Sequence, residues 1–136
     1  MKKPSLLLIL PCILLSHLTF AEDFAMQAHS QGDVTFISGG VGIEEQNTLR
    51  AMQMDYNLNL LFSVQGTGKY LSNVKVIITN SQGTVFLDTV ANGPKLFANL
   101  KPGHYIVTAN QGDRVVRKTV TIGAHRSSLY FTWPQN

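Results

Sequence analysis

Cysteine occurs once in the 136 residues, at Cys12, and it lies inside the one long apolar run, Ser5 to Phe20. Beyond that run neither a disulfide, a thiolate metal site nor a thiol nucleophile is available. Charge is also sparse. Setting aside Lys2 and Lys3 in the leading segment leaves nine Lys and Arg against eight Asp and Glu. The pI of about 9.2 therefore belongs largely to the N-terminal segment, and no basic footprint for nucleic acid remains. The sequence further lacks a Gly-x-Ser-x-Gly elbow, internal repeats and low-complexity tracts, which removes the common α/β-hydrolase and solenoid readings.

The apolar run is sixteen residues long and is interrupted by Pro11 and His17, short of the roughly 20 residues that cross a bilayer. Met1-Lys2-Lys3 precedes it and Thr19-Phe20-Ala21 follows, the pattern of a secretory signal cleaved after Ala21. The mature chain is then expected to begin at Glu22, in the periplasm or outside the cell, with no permanent membrane anchor. Cys12 follows Pro11 in mid-run rather than a small residue at its end, so lipidation is not expected. The remaining 115 residues suit one domain that rests on its apolar core alone. Residues 22–32 read as a flexible N-terminus and 33–136 as that domain.

What the chain does have is alternation with period two. Tyr56, Leu58, Leu60, Phe62 and Val64 fall on one side of a strand, and Asn57, Asn59, Ser63 and Gln65 on the other. Further strands are expected over 33–38, 73–80, 84–90, 95–100, 104–110, 114–122 and 127–133. Turn residues separate them every eight to twelve positions, the spacing of an antiparallel β-sandwich, here of about seven or eight strands. One segment departs from this. Residues 43–54 carry Glu44 and Glu45 at the start and Arg50 near the end, without Gly or Pro inside, which predicts a short helix. Its narrow apolar stripe of Ile43, Leu49 and Met52 places it on the sandwich surface.

Motifs for chemistry are incomplete. Gly39-Gly40-Val41-Gly42 lacks the third glycine of a dinucleotide loop, and Glu44 and Glu45 would stand where a phosphate belongs. Gly66-Thr67-Gly68-Lys69 lacks the earlier glycine of a P-loop, and Tyr70 replaces its Ser or Thr. His29, His104 and His125 are scattered over a tail, a strand start and a loop, without metal-ligand spacing. No catalytic residue, metal or cofactor is expected. Most of Phe62, Phe86, Phe97, Tyr105, Tyr130, Phe131 and Trp133 should fill the core. If strand direction alternates, the loops 66–72, 91–94 and 111–113 meet at one end, where Lys69, Tyr70, Asn92 and Asp113 are the candidate ligand contacts.

Leu100-Lys101-Pro102-Gly103-His104-Tyr105 predicts a tight turn into a strand. Its Tyr105 would return its hydroxyl to the backbone upstream, as a tyrosine corner does. With Gly66-x-x-x-Tyr70-Leu71-x-x-Val74-x-Val76, the Gly83 hairpin and Leu129-x-Phe131-x-Trp133, these residues resemble the carboxypeptidase regulatory-like domains, small sandwiches of prealbumin (transthyretin-like, Ig-like) type. The resemblance covers about 57–133, with Leu100, Pro102, Gly103 and Tyr105 as its structural corner. The upstream piece, residues 36–45, is similar to short exported bacterial proteins that carry this domain alone. The resemblance implies a non-enzymatic binding or structural module of the bacterial cell envelope, with an envelope protein or a glycan as partner. Two alternatives stand beside it. One is carbohydrate binding with Tyr70 or Trp133 as a stacking face. The other is a small hydrolase of transthyretin-like type with His104 as base, although the chain ends Thr-Trp-Pro-Gln-Asn rather than in that group's Tyr-Arg-Gly-Ser.

Overall fold

A computed structural model describes residues 26–135; the expected signal segment 1–21 and its cleavage point lie outside the described residues. In chain order the elements are β1 (His29–Gln31), β2 (Val34–Gly39), α1 (Gly42–Met52), β3 (Leu58–Val64), β4 (Val74–Thr79), β5 (Val85–Ala91), β6 (Lys95–Asn99), β7 (Gly103–Gln111), β8 (Arg114–Ile122) and β9 (Ser127–Trp133). A 3-10 turn, Gln53–Asp55, finishes the helix. The strands form two sheets, in the orders β1-β2-β6-β3-β9 and β5-β4-β7-β8. The fold is an all-β sandwich.

Two features differ from the sequence reading. There are nine strands among the described residues, and the additional one, β1, lies in the segment read as a flexible terminus. It pairs antiparallel with β2, His29 opposite Phe36 and Gln31 opposite Val34, after a turn in which Gly32 takes φ +56. Three residues are too few to display alternation, so the β2 ladder rather than any local pattern holds them extended. The second difference is direction. β9 runs parallel to β3, from Leu58 opposite Ser127 to Val64 opposite Trp133, whereas the other pairings are antiparallel. The residues between β8 and β9 cross from one sheet to the other, and the last strand therefore enters beside β3 in the same direction.

Alternation decides which side chains meet between the layers. Leu58, Leu60 and Phe62 of β3 pack there with Val74, Val76 and Ile78 of β4, Tyr105, Val107 and Ala109 of β7, and Phe131 and Trp133 of β9. Phe62, Phe131 and Trp133 are in mutual contact, with ring centroids 5.8, 6.3 and 6.4 Å apart. Trp133 is 2% exposed and its indole N–H donates to the Arg114 carbonyl at 3.0 Å. It is a core residue, which overturns its reading as a sugar-stacking face. Tyr130, expected in the core, instead points outward from the same strand at 60% exposure; its place in the alternation between Leu129 and Phe131 required this. A register shift at Ile78/Thr79 makes Phe86 the extra residue of a bulge, and both Phe86 and Leu87 then reach the core.

α1 lies on the outer face of the larger sheet. Leu49 is fully buried against Ile37, Tyr56 and Phe97, with Met26 and Met52 at the margin. Ile43 is 76% exposed and contributes nothing to the stripe. The turn between β5 and β6 packs backbone to backbone on the end of β2, since a Cβ at Gly93 would collide with the Gly39 carbonyl.

These contacts give two expected outcomes in denaturant unfolding. Trp133→Ala loses about 3–5 kcal/mol, the range for truncating a buried large aromatic. Gly93→Ala loses roughly 1–3 kcal/mol, because the backbones must separate to admit the methyl group.

Candidate functional site

The registers gather three loops at one end of the sandwich. β4 begins where β5 ends, Val74 opposite Ala91, and where β7 ends, Lys75 opposite Asn110. The chain after Trp133 joins them, because the Gln65 N–H donates to the Trp133 carbonyl at 2.7 Å. β6 stops pairing with β3 at Leu61, and the loop after β3 folds back into the space it leaves. There the Val64 N–H donates to the Lys69 carbonyl at 2.8 Å and the Leu71 N–H to the Phe62 carbonyl at 3.1 Å. Gly66 and Gly68, at φ +82 and +72, make that reversal possible.

Between this loop, the β7–β8 turn and the C-terminal segment is a groove of about 590 Å³, lined by residues that include Lys69, Leu71, Gln111, Asp113, Arg114 and Pro134. Lys69 and Asp113 thus share one groove, yet they do not pair: the ion pair found among the described residues joins Lys101 to Asp33 at 3.1 Å. Arg114, not singled out in the sequence, adds a second cation, and its guanidinium donates to the Pro134 carbonyl at 3.3 Å. Tyr70 is 53% exposed and bridges to Ser63, beside the groove rather than among its lining residues. Asn92 is not among them either, and its N–H donates to Ser38 Oγ at 3.0 Å, which holds it against β2. Of the four candidate contacts, Lys69 and Asp113 line this groove.

At the opposite end the Tyr105 hydroxyl donates to the Lys101 carbonyl at 2.7 Å, and its ring meets Phe86 edge-on at 5.4 Å. Leu100, 5% exposed, is held by a residue the alternation marked only as an outward polar position. Asn57 Nδ2 donates to the Leu100 carbonyl at 2.7 Å, while its Oδ1 accepts the Leu100 N–H at 3.0 Å. The side-chain amide does for Leu100 what a strand partner would do. A cleft of about 390 Å³ lies beside the corner, lined by Val34, Val85, Phe86, Tyr105 and the Asp33–Lys101 pair among others. That pair is exposed on both sides and contributes little to stability.

The motifs weighed for chemistry are dispersed or already occupied. His29 is on β1 and His125 in the β8–β9 loop, while His104 stands on the outer face of β7 with Nδ1 2.9 Å from Thr121 Oγ1, its cross-strand neighbour. Among the described residues no three His, Cys, Asp or Glu side chains are grouped to hold a metal ion. In the Gly39–Gly42 stretch, Glu45 Oε1 accepts the N–H groups of Gly40 and Val41 at 3.1 and 3.2 Å. The chain's own carboxylate fills the place an anion would take before a helix. Burial under α1, with Asp55 beside it, raises the Tyr56 phenol above its ordinary value, far from the groove.

Asn57→Ala is expected to destabilise the fold by about 1–3 kcal/mol for each Leu100 group left without a partner, read from denaturant midpoints. Asn57→Asp should restore only the acceptor half of the clamp.

No helix among the described residues is long and apolar enough to cross a membrane. No protein-family model matches the chain, and no curated protein matches it.

Proposed function

We propose that the chain is an exported, non-enzymatic binding module of carboxypeptidase regulatory-like type, acting in the bacterial envelope. It seats part of an envelope protein in the end groove between Lys69 and Asp113. The observation that carries this reading is the pair of opposite charges in one groove, neither neutralised by the other. A polypeptide offers a cation and an anion at fixed spacing, and it recovers charge-assisted hydrogen bonds that the free domain leaves to water. The groove is built from loops tied to the strands by backbone hydrogen bonds, so little ordering entropy is lost when a partner enters. The β-sandwich serves as a rigid frame for that surface.

The test is affinity capture. The mature chain, immobilised and exposed to envelope extract, is expected to retain a defined protein identified by mass spectrometry. The charge-reversed Lys69→Glu/Asp113→Lys variant, checked for an unchanged melting temperature, is expected to lose it. Retention of the same protein by the reversed variant places the contact elsewhere and overturns the proposal.

A further inference from the structure

The two sheets differ in what lies on their outer faces. α1 covers part of the larger one over Ile37 and Phe97, whereas the four-stranded sheet turns its outer face to solvent. The registers fix which side chains share that face, since Val76, Ile78, Leu87 and Val107 point into the core and their chain neighbours point away. Taken across β5, β4, β7 and β8, one outward row reads Asp88, Ile77, Thr108, Arg117, and the next reads Val90, Lys75, Asn110, Val115. Arg117 Nε donates to Thr108 Oγ1 at 3.3 Å, which lays the guanidinium along the face. Asp88 and Arg117 thus stand at opposite margins of one row, three strand spacings or about 14 Å apart. Neither forms an ion pair among the described residues. Val85, Val90 and Val115 on the same face are about half exposed, and they are three of the eight large apolar side chains that the described residues leave open to water. The edges of this sheet are in part engaged already. On β5, Gln31 takes up the Asp88 N–H and carbonyl, and on β8 Trp133 and Ser127 donate to the Arg114 and Thr121 carbonyls. The face is what remains for a partner.

We infer that this face pairs with the same face of a second copy of the chain, about a two-fold axis running along the strands between β4 and β7. Such an axis exchanges the margins and sets β5 of one copy over β8 of the other. Asp88 of each copy then meets Arg117 of the other, so a single row makes two ion pairs across the interface. Val90 falls on Val115 in the same way, while Ile77 and Ile106 fall on Thr108 and Thr79 beside the axis. A two-fold axis across the strands would instead set β5 over β5 and leave both charges without an opposite. Packed sheets are inclined by about 30°, which shifts the outer strands by about half of the ~7 Å row repeat, within reach of an arginine side chain. The Lys75 side chains lie in the row nearest the end of the sheet, where their ammonium groups stay in water. From strand spacing and rise the face measures about 20 by 20 Å, less than the ~800 Å² per partner of a standard interface. The dimer is accordingly weak and concentration-dependent. Its axis leaves both end grooves on one side, where a repetitive partner is held twice. The pairing rests on the sheet face and not on the assignment of the groove.

The experiment is sedimentation equilibrium of the mature chain over a dilution series, with the charge reversals Asp88→Arg and Arg117→Asp made singly and together. The parent is expected to pass from monomer to dimer as its concentration rises through the micromolar range toward about 1 mM. Each single reversal should weaken self-association about tenfold or more, because it sets like charges against each other twice. The double reversal should restore it. Mixed in equal amounts, the two single variants should associate with each other more strongly than either does with itself, since both pairs are then of opposite sign. Recovery in the mixture also separates a lost contact from a damaged fold, because two misfolded chains do not restore each other. Three outcomes overturn the inference: a parent that stays monomeric up to about 1 mM, a dimer that neither single reversal weakens, or a weakening that is recovered neither in the double variant nor in the mixture.

Discussion

With no cysteine among the described residues, the sandwich they form has no disulfide between its sheets and depends on the apolar layer they enclose. That layer is complete only because β9 lies beside β3. Its inward residues, Phe131 and Trp133, form a three-ring cluster with Phe62 in that layer, and burying large aromatic side chains is among the strongest contributions available to a chain of this size. The same pairing brings the chain's end to the loops at one pole through the Gln65–Trp133 hydrogen bond. Core and groove therefore share one cause. A change that dislodged β9 would open the apolar layer and remove one wall of the groove together.

A two-layered sandwich leaves strand edges with unpaired backbone groups, which invite pairing with other chains. Here side chains take up part of that role. Between β8 and β9, the Trp133 indole donates to the Arg114 carbonyl, Lys118 Nζ to the Tyr130 carbonyl and Ser127 Oγ to the Thr121 carbonyl. At the other side Gln31 Oε1 accepts the Asp88 N–H while its Nε2 donates to the Asp88 carbonyl, both at 2.9 Å. Asn57 makes the same two-way contact with Leu100. In both cases an amide side chain completes a ladder that no strand continues, and the irregular parts of the chain are tied down without lengthening either sheet.

Much of the sandwich is legible in the sequence because burial on one face of a strand imposes a period of two. The residues of β3, β4 and β7 that alternate in the sequence are those that meet between the layers. What escapes is whatever does not repeat. β1 is three residues long and carries no period. The parallel course of β9 is set by where a loop crosses between sheets, which neither β8 nor β9 records locally. The site residues divide in the same way. Lys69 and Asp113 come together because strand direction can be followed from turn to turn, and Asn92 does not join them because its turn packs on β2. Asn57 and Asn59 both appear in the sequence as outward polar residues of one strand, and alternation alone cannot distinguish them. One is clamped to a neighbouring backbone and the other is enclosed with nothing to bind.

Asn57, half-buried just before β3, and Asn59, buried within it, meet different demands. A strand paired on both sides, as β3 is by β6 and β9, is a constrained place in the fold, and a polar side chain buried there is tolerated for packing only when its hydrogen bonds are satisfied. Asn57, before the strand, has its amide satisfied by Leu100 and ties the two segments together. Asn59 has no such partner, and a leucine at its position would extend the apolar surface that Phe97 and Leu61 already begin, with no polar atom to desolvate. In the end groove Lys69 and Asp113 sit on loops whose backbone continues the strands, while their side chains stay out of the core. In this molecule the strands' inner faces answer to stability, and the charged side chains of the end loops are set apart from that demand.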